Sequence, residues 1–252
     1  MTLGDQLQEL RVAMLRDRSD QIAGDSDQLW TDAQLLRYIK DAEHIFARRT
    51  MILKDATTPR FCQLRLREGV IAYPMPKEVF GVISGRPEGR DFDLHRTGRT
   101  LVQARDTDTS ITFDPSQYGQ LQPGAPLGFY TDETEVYDSQ NVTAFSIFPA
   151  PDAQSAGLLI RLRVVRVPGC GYTTNDLKRE SELPERYHLD VLEWAAYRAK
   201  RNNDADIGTT PNADAHKQAF YESIELAKKD ARRQMHVNTG LRFGCNGFSW
   251  SR

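Results

Sequence analysis

The spacing of apolar residues changes twice along this chain, and that change constrains the fold more than any single motif. Leu3, Leu7, Leu10 and Met14 recur at steps of four, three and four, which places them on one face of a helix. After a polar stretch, Thr31 and Gln34 stand at capping-box spacing. Trp30 and Leu35 flank them at the two positions of a hydrophobic staple. Leu35, Ile39, Ala42 and Phe46 continue that second helical face to about Arg49. At Thr57-Thr58-Pro59 the period drops to two: Cys62, Leu64 and Leu66 alternate with Gln63, Arg65 and Arg67, and Gly69 follows as a turn residue. Short strand-like runs then recur as far as Leu158–Val167, where a phase slip at Val164-Val165 predicts a bulge. From Leu183 the helical period returns in Tyr187, Val191, Trp194, Ala195 and Ala199, with Pro184 read as a first helical residue. A polar turn precedes a last stripe, Ala213, Phe220, Ile224, Ala227 and Ala231, with Thr210 read as N-cap and Pro211 at the first helical position.

Helices, then strands, then helices predict an α+β chain: a four-helix bundle-like domain with an inserted all-β sandwich or barrel domain and an extended C-terminal tail. The expected boundaries are 1–57 and 169–234 for the helical domain, 58–168 for the β-domain and 235–252 for the tail. The helical pattern is read as stopping after Arg233. The tail carries Gly240, Gly244 and Gly247 with Leu241, Phe243, Phe248 and Trp250 among them, too much glycine for a helix and too aromatic for a solvated tail. Two antiparallel helices cannot cover both of their apolar faces. Tyr187, Trp194, Tyr197 and Phe220 are therefore candidates for packing against another part of the chain or a neighbouring subunit.

The 252 residues include 33 basic and 35 acidic ones, a formal charge of -2, which argues against an extended nucleic-acid surface held by charge alone and leaves room for a local patch. Three cysteines, Cys62, Cys170 and Cys245, do not form a disulfide framework and fit a reducing compartment. The charged N-terminus lacks the apolar core of a signal peptide, and no apolar run nears the ~18 residues of a membrane span. None of the five histidines stands at a metal-binding spacing from another. Asp106–Ser110 begins like a calcium loop but has Ile111 where the glycine belongs. Cys170, between two glycines, and His95 are the remaining candidates for dispersed hydrolytic chemistry, and neither has a local partner base. Arg161, Arg163 and Arg166 read as a basic strand edge that deters edge pairing or meets an anionic partner. No catalytic residue, cofactor or metal site is expected.

Three stretches, in this order, resemble the head-to-tail adaptor proteins of tailed bacteriophages, especially the tail tubular protein A-like adaptors of short-tailed phages. They are Trp30-Thr31-Asp32 leading into Leu35–Ala42; Leu64–Gly69 with Tyr73-Pro74-Met75-Pro76, Ile147–Pro151 and the strand ending at Val167-Pro168; and Leu183–His188 through Ala195–Ala199, then Ala213–Phe220. The longer polar insertion Gly85–Gly128 and the aromatic tail depart from the family pattern. The resemblance implies a structural virion protein of the phage neck, assembled in the host cytoplasm. It implies a ring, commonly of twelve copies, joining the portal protein to tail nozzle or tail tube proteins. Double-stranded DNA would pass through the ring without specific binding. By the same analogy the tail would dock on the portal through Leu241, Arg242, Phe243, Phe248, Trp250 and Arg252. A different reading is a receptor- or carbohydrate-binding virion protein with Tyr118, Phe129, Tyr130 and Tyr137 as an exposed aromatic platform.

Overall fold

The computed structural model describes residues 1–17, 29–96, 102–106, 109–113, 123–132, 136–137, 140–141, 143–169, 171–203 and 213–238. The chain is α+β and divides into two compact units: one from Met1–Ile52 together with the residues from Pro168 onward, the other Leu53–Val167.

The helical unit begins with α1, Leu3–Glu9, capped by a box in which Thr2 Oγ1 accepts from the Asp5 N–H at 3.1 Å and Asp5 Oδ2 from the Thr2 N–H at 2.8 Å. Two further N–H groups that a helix start leaves free donate to a later part of the chain: Leu3 to the Arg179 carbonyl and Gly4 to that of Leu177, both at 2.8 Å. The helix widens into a π-helical segment, Leu10–Leu15. There Arg11 reaches Asp17 at 2.7 Å and Asp32 at 2.5 Å, tying this segment to the start of the next helix. That helix, α2, spans Asp32–Thr50 and has the expected capping box of Thr31 and Gln34, with Trp30 and Leu35 both buried. Contacts with α1 and with two later helices bury nine of its residues, from Leu35 to Thr50.

Pro184 is not a first helical residue. It precedes a 3₁₀ turn, Glu185–Tyr187, in which the Tyr187 N–H donates back to the Pro184 carbonyl at 3.0 Å; the helix α4 proper runs His188–Asn203. Its partner α5 spans Ala213–Asn238 and so passes the expected stop at Arg233 and the 234/235 boundary. Met235-His236-Val237-Asn238 holds no glycine or proline, and the first glycine after Arg233 is Gly240. The expected caps Thr210 and Pro211 lie outside the described residues, as does the tail from residue 239.

In the other unit, β12, Leu159–Arg166, is the central strand of a four-stranded antiparallel sheet. On one side it pairs with β1, Lys54–Asp55, and β2, Gln63–Arg65; on the other with β4, Val79–Pro87. Register shifts at Arg163/Val164 and Val165/Arg166 mark the expected bulge. Cys62 is not a strand residue, because Pro59–Cys62 forms a single helical turn, α3. Proline stands at its first position, and Asp55 Oδ1 accepts from the Thr57 and Thr58 N–H groups at 2.9 and 3.0 Å just before it.

A second sheet has the order β3 (Ala72–Pro74), β11 (Ala144–Phe148), β8 (Gly128–Asp132) and β5 (His95–Arg96). Pro74 sits on the edge strand, where its missing N–H costs no ladder bond. The fully buried Phe129, Phe145, Ile147, Ile160 and Val164 come from both sheets and lie in one core. Two ribbons, β6 (Val102–Asp106) with β7 (Thr109–Phe113) and β9 (Val136–Tyr137) with β10 (Gln140–Asn141), complete the described strands, and no sheet among them closes into a barrel.

At Gly128 a Cβ would stand 2.1 Å from Phe148 Cζ and 2.8 Å from the His95 carbonyl oxygen. Gly128→Ala is expected to destabilise the fold by about 1–3 kcal/mol through overpacking, read as a lower denaturation midpoint. An unchanged midpoint would contradict this register of β5, β8 and β11.

Candidate functional site

His95 is exposed on the edge strand β5, and Cys170 lies outside the described residues. Cys62 is buried, and burial together with the neighbouring Asp55 charge pushes its thiol up to about 11, so it stays protonated. Among the described residues no group of three or more His, Cys, Asp or Glu side chains is placed to hold a metal ion. None of their helices is long and apolar enough to cross a membrane. Of the aromatic platform, Phe129 is fully buried in the β core, which removes it as a ligand surface. Tyr130 is half-buried, while the side chains of Tyr118 and Tyr137 lie outside the described set.

Two of the most buried ionisable groups hold the scaffold together. Arg166 is not part of a solvated edge: it is 9% exposed, and its Nε donates to Asp55 Oδ2 at 2.8 Å. Burial opposes ionisation of Asp55, but the Thr58 and Thr57 amides, the Thr58 hydroxyl and Arg166 outweigh it and hold its carboxyl well below the usual carboxylate range. In the helical unit Glu43 is fully buried in the middle of α2. Its Oε1 accepts from Ser181 Oγ at 2.5 Å and from Gln6 Nε2 at 3.5 Å, and its Oε2 accepts from the Tyr172 hydroxyl. Burial raises the Glu43 carboxyl above its ordinary value, and the hydrogen bonds from Ser181, Tyr172 and Gln6 offset part of that. Nothing local in the sequence marks this residue, because its partners come from α1 and from the segment before α4.

Three of the four aromatics expected at subunit contacts are buried within the chain: Tyr187, Tyr197 and Phe220, at 5, 6 and 0% exposure. Phe220 packs against Phe46 of α2 and Trp194 of α4, with ring centroids 6.1 and 5.2 Å apart, and Tyr187 lies 5.2 Å from Phe46. The cover that α4 and α5 need is thus supplied in part by α2. Trp194 is half-buried. Near the end of α4 and the start of α5, His216 lies between Glu193 Oε2 at 2.6 Å and Lys200 Nζ at 2.7 Å. Still exposed are Leu189 on α4 and Leu226 on α5. Leu226 lies on an open outer face of α5 with Tyr221, Glu222, Glu225 and Lys229. The six tail candidates, Leu241, Arg242, Phe243, Phe248, Trp250 and Arg252, lie outside the described residues.

The SU10 adaptor protein family model matches residues 1–242, and the chain belongs to this family of phage head-to-tail adaptors. A search of curated proteins finds no match. Membership makes the chain a phage structural adaptor that meets other head and tail proteins at the virion neck.

The raised Glu43 carboxyl has a defined effect on stability. The folded state prefers the neutral acid, so Glu43's contribution is fully present below its ordinary value of 4.5 and is lost as pH rises through the folded value. Glu43→Gln keeps the group neutral at every pH. The variant is expected to gain stability relative to the wild type as pH rises from 4.5 to 8, measured by chemical denaturation at several pH values. A constant difference across that range would contradict the burial of a titrating carboxyl there.

Proposed function

We propose that this chain forms a closed ring at the phage neck, commonly of twelve copies as in the adaptors it resembles, which joins the portal protein to the tail nozzle or tail tube and extends the DNA channel. The match of the adaptor family model over residues 1–242 carries this reading. Tail tubular protein A-like adaptors remain the subclass we favour, on the order of the three sequence stretches. Ring closure needs a heterologous contact, in which two different faces of the same chain meet. With Tyr187, Tyr197 and Phe220 engaged within the chain, the outer face of α5 around Leu226 and the exposed Leu189 are the surfaces we assign to that contact. A near-neutral chain suits a conduit, since a strongly basic lumen would hold DNA rather than pass it.

The residues after Asn238 are assigned to portal docking. Glycines there allow extended or turned backbone, and Phe243, Phe248 and Trp250 serve as aromatic anchors flanked by Arg242 and Arg252. Removal of residues 239–252 is expected to weaken binding to the portal protein of the same phage at least tenfold, with an unchanged circular dichroism melting curve. Equal portal affinity for the truncated and full-length chains would overturn the tail assignment.

A further inference from the structure

The sheet built on β12 has a solvent face that folding does not account for. Arg161 and Arg163 alternate with the buried Ile160, Leu162 and Val164, so both arginines point away from the core. Directly opposite Arg161 lie Gln63 on β2 and Arg86 on β4; opposite Leu159 lies Arg65, and opposite Arg163 lies Ser84. Residues paired across strands share a face, so Arg65, Arg86, Arg161 and Arg163 stand on one surface. Arg161 and Arg86 are like charges facing each other, an arrangement that disfavours the sheet.

Charge on a strand is usually explained as protection of an open edge. That reason can serve Arg86 and Arg65, whose strands each have one described partner, but not Arg161, which is paired on both sides, with Gln63 and with Arg86. The arginines are also held in place. Glu88 Oε1 accepts from Arg161 at 2.9 Å and Asp93 Oδ1 from Arg86 at 2.8 Å, while the side chains stay 66% and 57% exposed. Arg65 and Arg163 make no ion pair with a described residue and are exposed. Next to Asp93, Phe92 is 46% exposed with the Arg90 guanidinium 5.5 Å from its ring centroid.

We propose that this arginine face, with Phe92 at its margin, is a docking surface for a carboxylate-rich surface of another protein. Under the adaptor function proposed above, on which this inference rests, the portal is assigned to residues 239–252, which leaves a protein of the tail for this face. The composition separates a protein partner from nucleic acid. Glu88 and Asp93 interrupt the positive field that a phosphate backbone would need, whereas arginines beside an exposed aromatic are the residue types that dominate protein interfaces. Arginine's planar fork also suits bidentate pairing with carboxylates, so the ion pairs to Glu88 and Asp93 leave donors free for a partner.

The test uses the full-length chain with three probes: the portal protein, the tail proteins of the same virion, and a 30-base-pair DNA duplex. The wild type is expected to bind one tail protein, more weakly as sodium chloride is raised from 0.05 to 0.5 M. Arg161→Glu combined with Arg163→Glu should lose at least tenfold in that affinity and keep its portal affinity. Arg161→Gln with Arg163→Gln, which adds no negative charge to the sheet, should fall between the two. Equal tail-protein binding by all three chains would overturn the assignment. It would equally be overturned by a wild type that binds the duplex more tightly than any tail protein and loses that binding in the charge-reversed variant. A wild type that binds neither portal nor tail proteins would instead refute the adaptor function itself.

Discussion

A single buried carboxyl group, that of Glu43, links the parts of the helical unit that the β unit separates in sequence. It sits on α2, before the insertion, and accepts hydrogen bonds from Tyr172 and Ser181, which lie 129 and 138 positions further along the chain, and from Gln6 of α1. The first N–H groups of α1 donate to carbonyls of the same late segment, at Leu177 and Arg179. An inserted unit imposes this requirement: the helices on either side of it must find one another, and α2 is the helix on which both sides meet. Its apolar residues receive Trp194's neighbour Phe220 and the Tyr187 ring, while its polar residue Glu43 fixes where the late segment lies. Apolar burial supplies most of the driving force, and the polar network specifies the arrangement.

The β unit has a comparable device at its own entry and exit. Asp55, near its first residue, and Arg166, near its last, form a buried pair 111 positions apart in sequence. Each unit therefore closes on itself through a long-range polar contact. Both units leave side chains exposed: Leu189 and Leu226 on α4 and α5 in the helical unit, and Arg65, Arg86, Arg161 and Arg163 with Phe92 and Leu127 in the β unit.

What the sequence made legible follows the range of the interactions involved. The Thr31 capping box, the Trp30 staple and the α2 stripe are local, set by residues three to five positions apart, and each is present. The β12 bulge was readable because a bulge shifts the alternation within one strand. Omissions and misreadings both arose beyond that range, Glu43 being one that the sequence does not single out. Glu43 looks like one more solvated residue between Ala42 and His44 until Tyr172 and Ser181 cover it. Arg166 looks like a continuation of Arg161 and Arg163 until Asp55 draws it inward. Pro184 fits a first helical position equally well by sequence, but a 3₁₀ turn intervenes. The end of α5 was placed too early because its last apolar stripe residue, Ala231, comes before the helix stops at Asn238. The order of elements, helices then strands then helices, is what made the adaptor family legible.

We propose above that this adaptor works as a ring assembled on the portal. Sedimentation velocity of the purified chain, alone and then mixed with the portal protein of the same phage, tests it most directly. A ring assembled on the portal predicts a small species alone and a portal-sized complex carrying many copies in the mixture. A slowly sedimenting monomer in both runs would contradict it.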